Sequence, residues 1–346
     1  MPADLAARIT SRIEVDGPLR VSEFVEAALY DPLDGFYATG GQAGRRGDFL
    51  TAPEVGPLFG AVISKAVDAW WDAAGRPSRF VVAEHGAGPG TLARTVTVAA
   101  GACLAAGALE WVMVERSDAQ RRSHPSGEHF RSVPSDDELD QVDLVVANEL
   151  LDNLAFRVVA RRVDRWVERR VSVGSAGFTL VDAEPVPAPV GAERAPIGTE
   201  LPVAESALAW VGRQRERHPR ARLLVLDYAA STPELVARGG GWLRSYRGHE
   251  RVADWLRHPG QCDITIDLPL EPIAAQFTHV RSQADFLGEH GIDELVAEGR
   301  AVWEERSAIG DLAALRARSR VTEAAALLDP DAMGGFTVFS REPDER

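Results

Sequence analysis

The sequence predicts an α/β fold: a mostly parallel sheet wound by helices on both faces, with a helical N-terminal segment and a β-rich insertion. Three observations carry this. Unbroken apolar runs recur at Phe80-Val81-Val82, Leu144-Val145-Val146 and Leu223-Leu224-Val225-Leu226, as expected of parallel strands covered on both faces. A glycine turn, Gly86-Ala87-Gly88-Pro89-Gly90, follows the first run and leads into a helical stretch. Residues 156–186 are rich in Val and Arg around a Gly174-Ser175-Ala176-Gly177 turn, which reads as an antiparallel excursion from the parallel sheet.

Taken in order, Val21, Phe24, Val25, Ala28 and Leu29 share one helical face. The phrase Asp31-Pro32-Leu33-Asp34-Gly35 then supplies turn chemistry. Residues 40–47 read as a glycine-rich loop. Pro57 suits the first turn of a helix running to about Ala74, with Gly75 as its terminator. Phe59, Val62, Ile63, Ala66, Val67 and Trp70 give that helix its apolar face. Strands are predicted at 80–85, 109–115, 130–133, 142–147 and 221–228. The Pro- and Ala-rich stretch 185–202 reads as a surface loop. A helix over 311–328 and a strand over 336–340 close the chain, with no internal repeat.

Composition narrows the function. A chain of 346 residues can bury a large core. The net charge of −14 disfavours broad nucleic-acid binding, which needs a basic footprint. Lys65 is the only lysine, so no phosphate-loop lysine follows the glycines. The arginine bias fits a GC-rich bacterial genome. Cys103 and Cys262 form no metal or disulfide pattern, which fits a reducing cytoplasm. The histidines lack metal-ligand spacing; His124 and His129 flank a Pro-Ser-Gly turn and read as solvated loop residues. No metal site, no signal segment and no membrane-spanning run is expected.

The glycine turn suits a nucleoside-bearing ligand, because side chains there would block close approach of the backbone. A nicotinamide fingerprint reads G-x-G-x-x-G, with its pyrophosphate on the helix N-terminus. Here the third glycine comes one residue early. Glu84, just before the turn, suits a cationic ligand better than a pyrophosphate. S-Adenosylmethionine carries a sulfonium and an ammonium and has no phosphate. The alternative is a turn that only packs a helix onto a sheet. Glu115 ends the next strand, 25 residues after Gly90, near where a doubly wound fold places its ribose-binding carboxylate. Its two oxygens can accept bonds from both ribose hydroxyls.

Further phrases add a resemblance. They are Asp31-Pro32-Leu33-Asp34-Gly35-Phe36-Tyr37, Gly47-Asp48-Phe49-Leu50-Thr51-Ala52-Pro53-Glu54, Ala147-Asn148-Glu149-Leu150-Leu151-Asp152 and Gly241-Trp242-Leu243-Arg244-Ser245-Tyr246-Arg247-Gly248-His249. With residues 84–90, their order and spacing resemble the MidA-like family of class I methyltransferases, over about residues 29–265. That family includes the mitochondrial complex I assembly factor that methylates a protein arginine. The resemblance implies a seven-stranded Rossmann-like sheet with S-adenosylmethionine over the strand ends. Gly86, Gly88 and Gly90 would line the methionine and ribose, and Glu115 would take the ribose hydroxyls. Asp48, Thr51 and Glu54 would fold over the cofactor. The implied organisation is a helical segment, 1–75, packed over the cofactor site, and a methyltransferase domain, 76–346, with its insertion at about 156–202.

Asn148 and Glu149 end the fourth strand, where such enzymes present their acceptor. Glu149 and Asp152 are three apart and would share one face of a helical first turn. Two carboxylates there could hold a guanidinium by charge-assisted bonds, or could only stabilise a helix dipole. Asn148, Glu149 and Asp152 are therefore the candidate catalytic residues. The sequence departs from the family pattern at Ala87, Pro89, Asn153, Ala155, Ala229, Trp242 and Ile266-Asp267-Leu268-Pro269. The cofactor half thus matches better than the acceptor half. The leading expectation is N-methylation of an arginine in a protein partner. A small-molecule acceptor and a non-catalytic assembly factor stay open, and a dehydrogenase ranks behind them. Neither nucleic acid nor membrane is an expected partner. A homodimer is carried as the oligomeric expectation.

Overall fold

The structure, a computed structural model, describes residues 4–39, 51–248 and 250–344. Asp48 and the 40–47 loop lie outside the described residues. The first helices are α1 (Leu5–Asp16) and α2 (Val21–Tyr30). Asp4 caps α1 by accepting the Ala7 N–H at 2.8 Å. The face of α2 expected from spacing is the one that is buried. A one-turn helix, Ala52–Val55, precedes α3 (Pro57–Ala73), and Gly75 lies just past its end at φ +83°.

Alternation then begins with β1 (Phe80–His85), α4 (Thr91–Ala99), β2 (Leu109–Val114), β3 (Phe130–Val133) and β4 (Leu144–Asn148). The excursion comprises β5 (Arg157–Arg161), β6 (Trp166–Gly174), β7 (Gly177–Val186) and β8 (Glu200–Val203). Its pairs are antiparallel, as the patterning predicts. The loop expected at 185–202 is shorter than read: Pro185 and Val186 extend β7, and residues 200–202 pair with β5. The short strand Leu19–Arg20 joins β6 and ties the N-terminal helices to this second sheet.

After α5 (Glu205–Arg217), β9 (Arg222–Asp227) re-enters the main sheet. A side hairpin pairs β10 (Leu243–Arg247) with β11 (Asp263–Ile266). The chain ends with β12 (His279–Ser282), α6 (Gln283–Glu289), α7 (Ile292–Arg306), α8 (Leu312–Leu328) and β13 (Thr337–Arg341). The strand β12 carries no signal that the sequence reading found.

The main sheet has seven strands in the order β12-β13-β9-β4-β1-β2-β3. Neighbours from β9 to β3 are parallel, and β13 is antiparallel to both of its neighbours. Alternate residues of each strand enter opposite cores. Val81, Ala83, Val145 and Ala147 face α1, α2, α5 and the insertion. Val82, Leu144 and Val146 face α3, α4 and the C-terminal helices. From β1 the chain runs outward through β2 and β3, then returns to β4 on β1's other side. This reversal opens a crevice at the carboxyl ends of β1 and β4, where open α/β sheets bind ligands.

Candidate active site

A cavity of about 320 Å³ occupies that crevice. Gly86 and Gly88 of the glycine turn line it, whereas Gly90, expected there too, lies outside the wall, where an added Cβ would be 2.9 Å from Pro125; the three sit at φ +65°, +53° and +79°. A side chain would strain all three positions. A Cβ on Gly88 would meet no protein atom within 4 Å, so the space beside it is open to a ligand. One on Gly86 would lie 2.8 Å from Leu150. The turn is clamped from both sides. Gly88 N–H donates to Glu115 Oε2 at 3.0 Å, and His124 Nε2 lies 2.8 Å from the Gly88 carbonyl. His124 is thus not the solvated loop residue expected from its Pro-Ser-Gly context. Its other ring nitrogen meets Ser132 Oγ at 2.8 Å.

Glu115 stands just past β2 in the cavity wall. Its Oε1 accepts the Ser117 N–H at 2.8 Å, so each oxygen holds one backbone donor and keeps acceptor capacity. Burial raises its carboxyl above the usual range. Glu84 is 5% exposed and accepts the Trp111 indole N–H at 2.6 Å. Burial pushes it up to about 8. Thr51 and Glu54 line the same cavity, and the Thr91 hydroxyl donates to Glu54. Four glutamates, 54, 84, 115 and 149, face two arginines, 116 and 213. This donor set fits S-adenosylmethionine: a carboxylate for a vicinal diol, acids for a cationic end, and no lysine for a phosphate.

The acceptor side differs from expectation. Glu149 does not begin a helix. It sits at φ +50°, uncommon for a residue with a side chain, and its N–H is bonded to the Leu226 carbonyl at 2.8 Å. A single 3-10 turn, Leu151–Asn153, follows. Asp152 therefore does not stand beside Glu149 on a helical face. It is 3% exposed, takes the Thr265 hydroxyl on Oδ2, and is absent from the cavity wall. Asp227 accepts the Leu151 N–H at 2.8 Å behind it. Burial raises Asp152 to about 6 and Asp263 to about 7.

Three donors converge on Glu149. Oε1 accepts from Ala52 N–H at 3.1 Å and Asn148 Nδ2 at 3.2 Å. Oε2 accepts the Tyr228 hydroxyl at 3.0 Å. Burial, then the Asp152 charge, raises this carboxyl to about 8. Asn148 Oδ1 is enclosed and has no hydrogen-bond partner among the described residues. Sequence reasoning missed Tyr228 and His124, whose contacts cross 79 and 36 positions of chain.

Comparison with known proteins supports the fold and the cofactor class. A family model described as "Putative S-adenosyl-L-methionine-dependent methyltransferase" matches residues 62–288. A Burkholderia thailandensis protein solved with S-adenosyl-homocysteine bound is similar over 99% of this chain and 92% of its own. Its TM-score is 0.83 at 28% identity. A native structure from the same organism has a TM-score of 0.81 at 26% identity over the same shares. In sequence, the chain is 38% identical over 92 residues (27% of this chain) to the Drosophila melanogaster homologue of mitochondrial protein arginine methyltransferase NDUFAF7. It is 35% identical over 81 residues (23% of this chain) to the human protein of that name. These matches span about a fifth of the curated relatives' length, 21% and 18%. With more than half of its length matched by the family model and nearly all of it by the structure bound to S-adenosyl-homocysteine, the chain belongs to the MidA-like family of S-adenosyl-L-methionine-dependent methyltransferases.

Proposed function

We propose that the chain methylates a guanidinium nitrogen of an arginine side chain in a protein partner. The observation that carries this reading is the Asn148–Glu149 pair. Three of the roughly four acceptor positions of the Glu149 carboxylate are taken. The remaining one and the unpartnered Asn148 Oδ1 belong to adjacent residues of the cavity wall, and a side-chain rotation of Asn148 would turn its enclosed oxygen to the ligand as a second acceptor. That pattern suits two N–H groups of one cation, and it replaces the Glu149–Asp152 clamp that spacing suggests. Asp152 acts from behind, holding Glu149 partly protonated until a cation arrives.

S-Adenosylmethionine supplies an electrophilic methyl group. Gly86 and Gly88 line its site, Gly90 completes the turn beneath them, Glu115 takes the ribose hydroxyls, and Glu84 faces the cationic end. Thr51 and Glu54 cover it, and Asp48 is proposed to join them. A guanidinium has a pKa above about 12, so no carboxylate removes its proton beforehand. Positioning and exclusion of water are what the protein contributes. Glu149 and Asn148 orient the nitrogen and draw positive charge away from it. The names of the sequence relatives as protein arginine methyltransferases lend further support.

Transfer of labelled methyl groups into a cell lysate tests the proposal, with the label then located chemically. Label on arginine is expected. Glu149→Gln should reduce it at least tenfold while S-adenosyl-homocysteine affinity stays within about twofold. Label only in small molecules would replace the protein acceptor with a metabolite. Tight cofactor binding with no labelled product would make the chain a non-catalytic relative.

A further inference from the structure

His85 is an anomaly that neither cofactor binding nor acceptor orientation explains. It ends β1, an interior strand of the sheet, on the same face as Val81 and Ala83. An apolar residue is the norm where parallel strands are covered on both faces. Its ring nevertheless lines the cavity, and the edge of Trp210 meets it at 5.4 Å between centroids. In register, His85 stands opposite Ala147, the residue before the Asn148–Glu149 pair. Adjacent strands lie about 4.8 Å apart, so the two strand ends stand side by side, and His85, Asn148 and Glu149 line the same cavity.

Behind the ring lies a carboxylate. His85 Nε2 is 3.6 Å from Asp136 Oδ2, and His218 Nε2 is 3.5 Å from the same oxygen. Arg217 Nε lies 3.8 Å away from that oxygen. The three atoms face one another inside the protein, slightly too far apart for direct hydrogen bonds. Such contacts in ligand-free sites often tighten once substrate is bound. A base oriented by a carboxylate recurs wherever a side chain must take a proton on cue.

We propose that His85, oriented by Asp136, accepts the proton that the acceptor nitrogen loses during methylation. This rests on the reading of the cavity as a methyl-transfer site. The acceptor nitrogen gives an electron pair to the methyl carbon, the carbon–sulfur pair stays with sulfur, and the nitrogen's proton passes to Nδ1 of His85. Asp136 then stabilises the imidazolium. Glu149 is poorly suited to the task, because three donors already occupy its oxygens. The charged and titratable groups acting on His85 are Asp136, His218 and Arg217, and the cavity that it lines also holds Glu54, Glu84, Glu115, Glu149, Arg116 and Arg213. Burial, opposed by Asp136 and aided by His218 and Arg217, lowers its pKa to about 4. The ring is thus neutral and able to accept at neutral pH.

The test compares wild type with His85→Gln and His85→Ala on the acceptor that wild type labels. Expected are a roughly hundredfold or greater fall in kcat, unchanged S-adenosyl-homocysteine affinity, and partial rescue of His85→Ala by free imidazole. At saturating acceptor, where the bound cation keeps Glu149 ionised, the wild-type kcat should be flat from pH 6 to 9, whereas the His85→Gln kcat should climb with pH. A kcat within twofold of wild type in His85→Gln overturns the proposal while leaving arginine methylation standing. Nitrogen NMR of the ring decides independently of turnover. A neutral ring protonated on Nε2 is expected at pH 7, and a ring protonated on Nδ1 overturns the assignment. If wild type labels no arginine, the proposed function fails, and the NMR result still decides the state of His85.

Discussion

At the scale of the residue, the cofactor side was legible because its chemistry is local. Gly86, Gly88, Gly90 and Glu84 fall within seven consecutive residues, and Glu115 is one strand away. The structure shows what each glycine is for. At Gly88 no protein atom would touch an added Cβ, yet the φ of +53° strains any other residue. Gly88→Ala should therefore cost stability only about 1–2 kcal/mol from the left-handed backbone. Its methyl group would enter the ligand space, and S-adenosyl-homocysteine should bind about tenfold more weakly, the equivalent of roughly 1.4 kcal/mol. Calorimetric titration and a thermal melt check both halves. Unchanged affinity would place the ligand away from the turn. The acceptor side was less legible. Glu149 takes its unusual φ where its N–H meets Leu226 and its carboxylate meets Ala52 and Tyr228. A helical spacing rule applied to Glu149 and Asp152 cannot see those partners.

At the scale of the element, sequence patterning found α2, α3, α8 and the parallel strands, passed over α5 and α7, and missed what holds these elements in place. The clearest case is α3. Pro57 at its start was legible, but its cap comes from α8, 265 positions later in the chain. Glu323 Oε2 accepts the Leu58 N–H at 2.8 Å, and Ser319 donates to Oε1 at 2.7 Å. This carboxylate is 5% exposed and sits at the positive end of α3. It also fills the space above Gly56, where an added Cβ would fall 2.2 Å from Glu323 Cδ. Glu323→Ala leaves a buried N–H without its partner and should cost about 1–3 kcal/mol. Gly56→Ala should destabilise wild type clearly and the Glu323→Ala background much less, because the clash is gone. Denaturant melts of both single variants and the double variant measure that coupling. Additive losses would show that the two sites do not interact. The one-turn helix Ala52–Val55 abuts this junction, so the cap also steadies Thr51 and Glu54 in the cavity wall.

At the scale of the whole molecule, the sheet order and its two cores follow from alternating apolar strands, but the electrostatic character of the centre does not. Buried acids from β1, the segment after β4 and β11 gather at one end of the sheet, and their pKa values are displaced upward. Glu84 and Glu149 reach about 8, Asp263 about 7 and Asp152 about 6, with burial the largest cause in each. The folded state then holds protons that the unfolded chain has already released above about pH 4–4.5. Stability that is full below that range is lost as pH rises through 6 to 8. His85 and His290 act in the opposite sense. Burial lowers both to about 4, so the stability they allow above about pH 6.5 is lost as pH falls towards 4. Between about pH 4.5 and 6.5 the four acids outweigh the two histidines, so the ligand-free protein should melt highest near pH 4.5, lose stability as pH rises towards 8, and lose it again as pH falls towards 4. Glu149→Gln and Glu84→Gln carry no charge to bury, so each should flatten the alkaline limb and leave the acid limb intact. S-Adenosylmethionine should also raise the alkaline limb more than S-adenosyl-homocysteine does, because only the former brings a sulfonium to Glu84. Melting curves from pH 4 to 9, with and without each ligand, measure all of these effects. An alkaline limb unmoved by either substitution would mean that these acids are already ionised in the fold. The proposed role of Glu149 would then need a permanent countercharge, which Arg244 on β10 is the nearest candidate to supply through its interaction with Asp152.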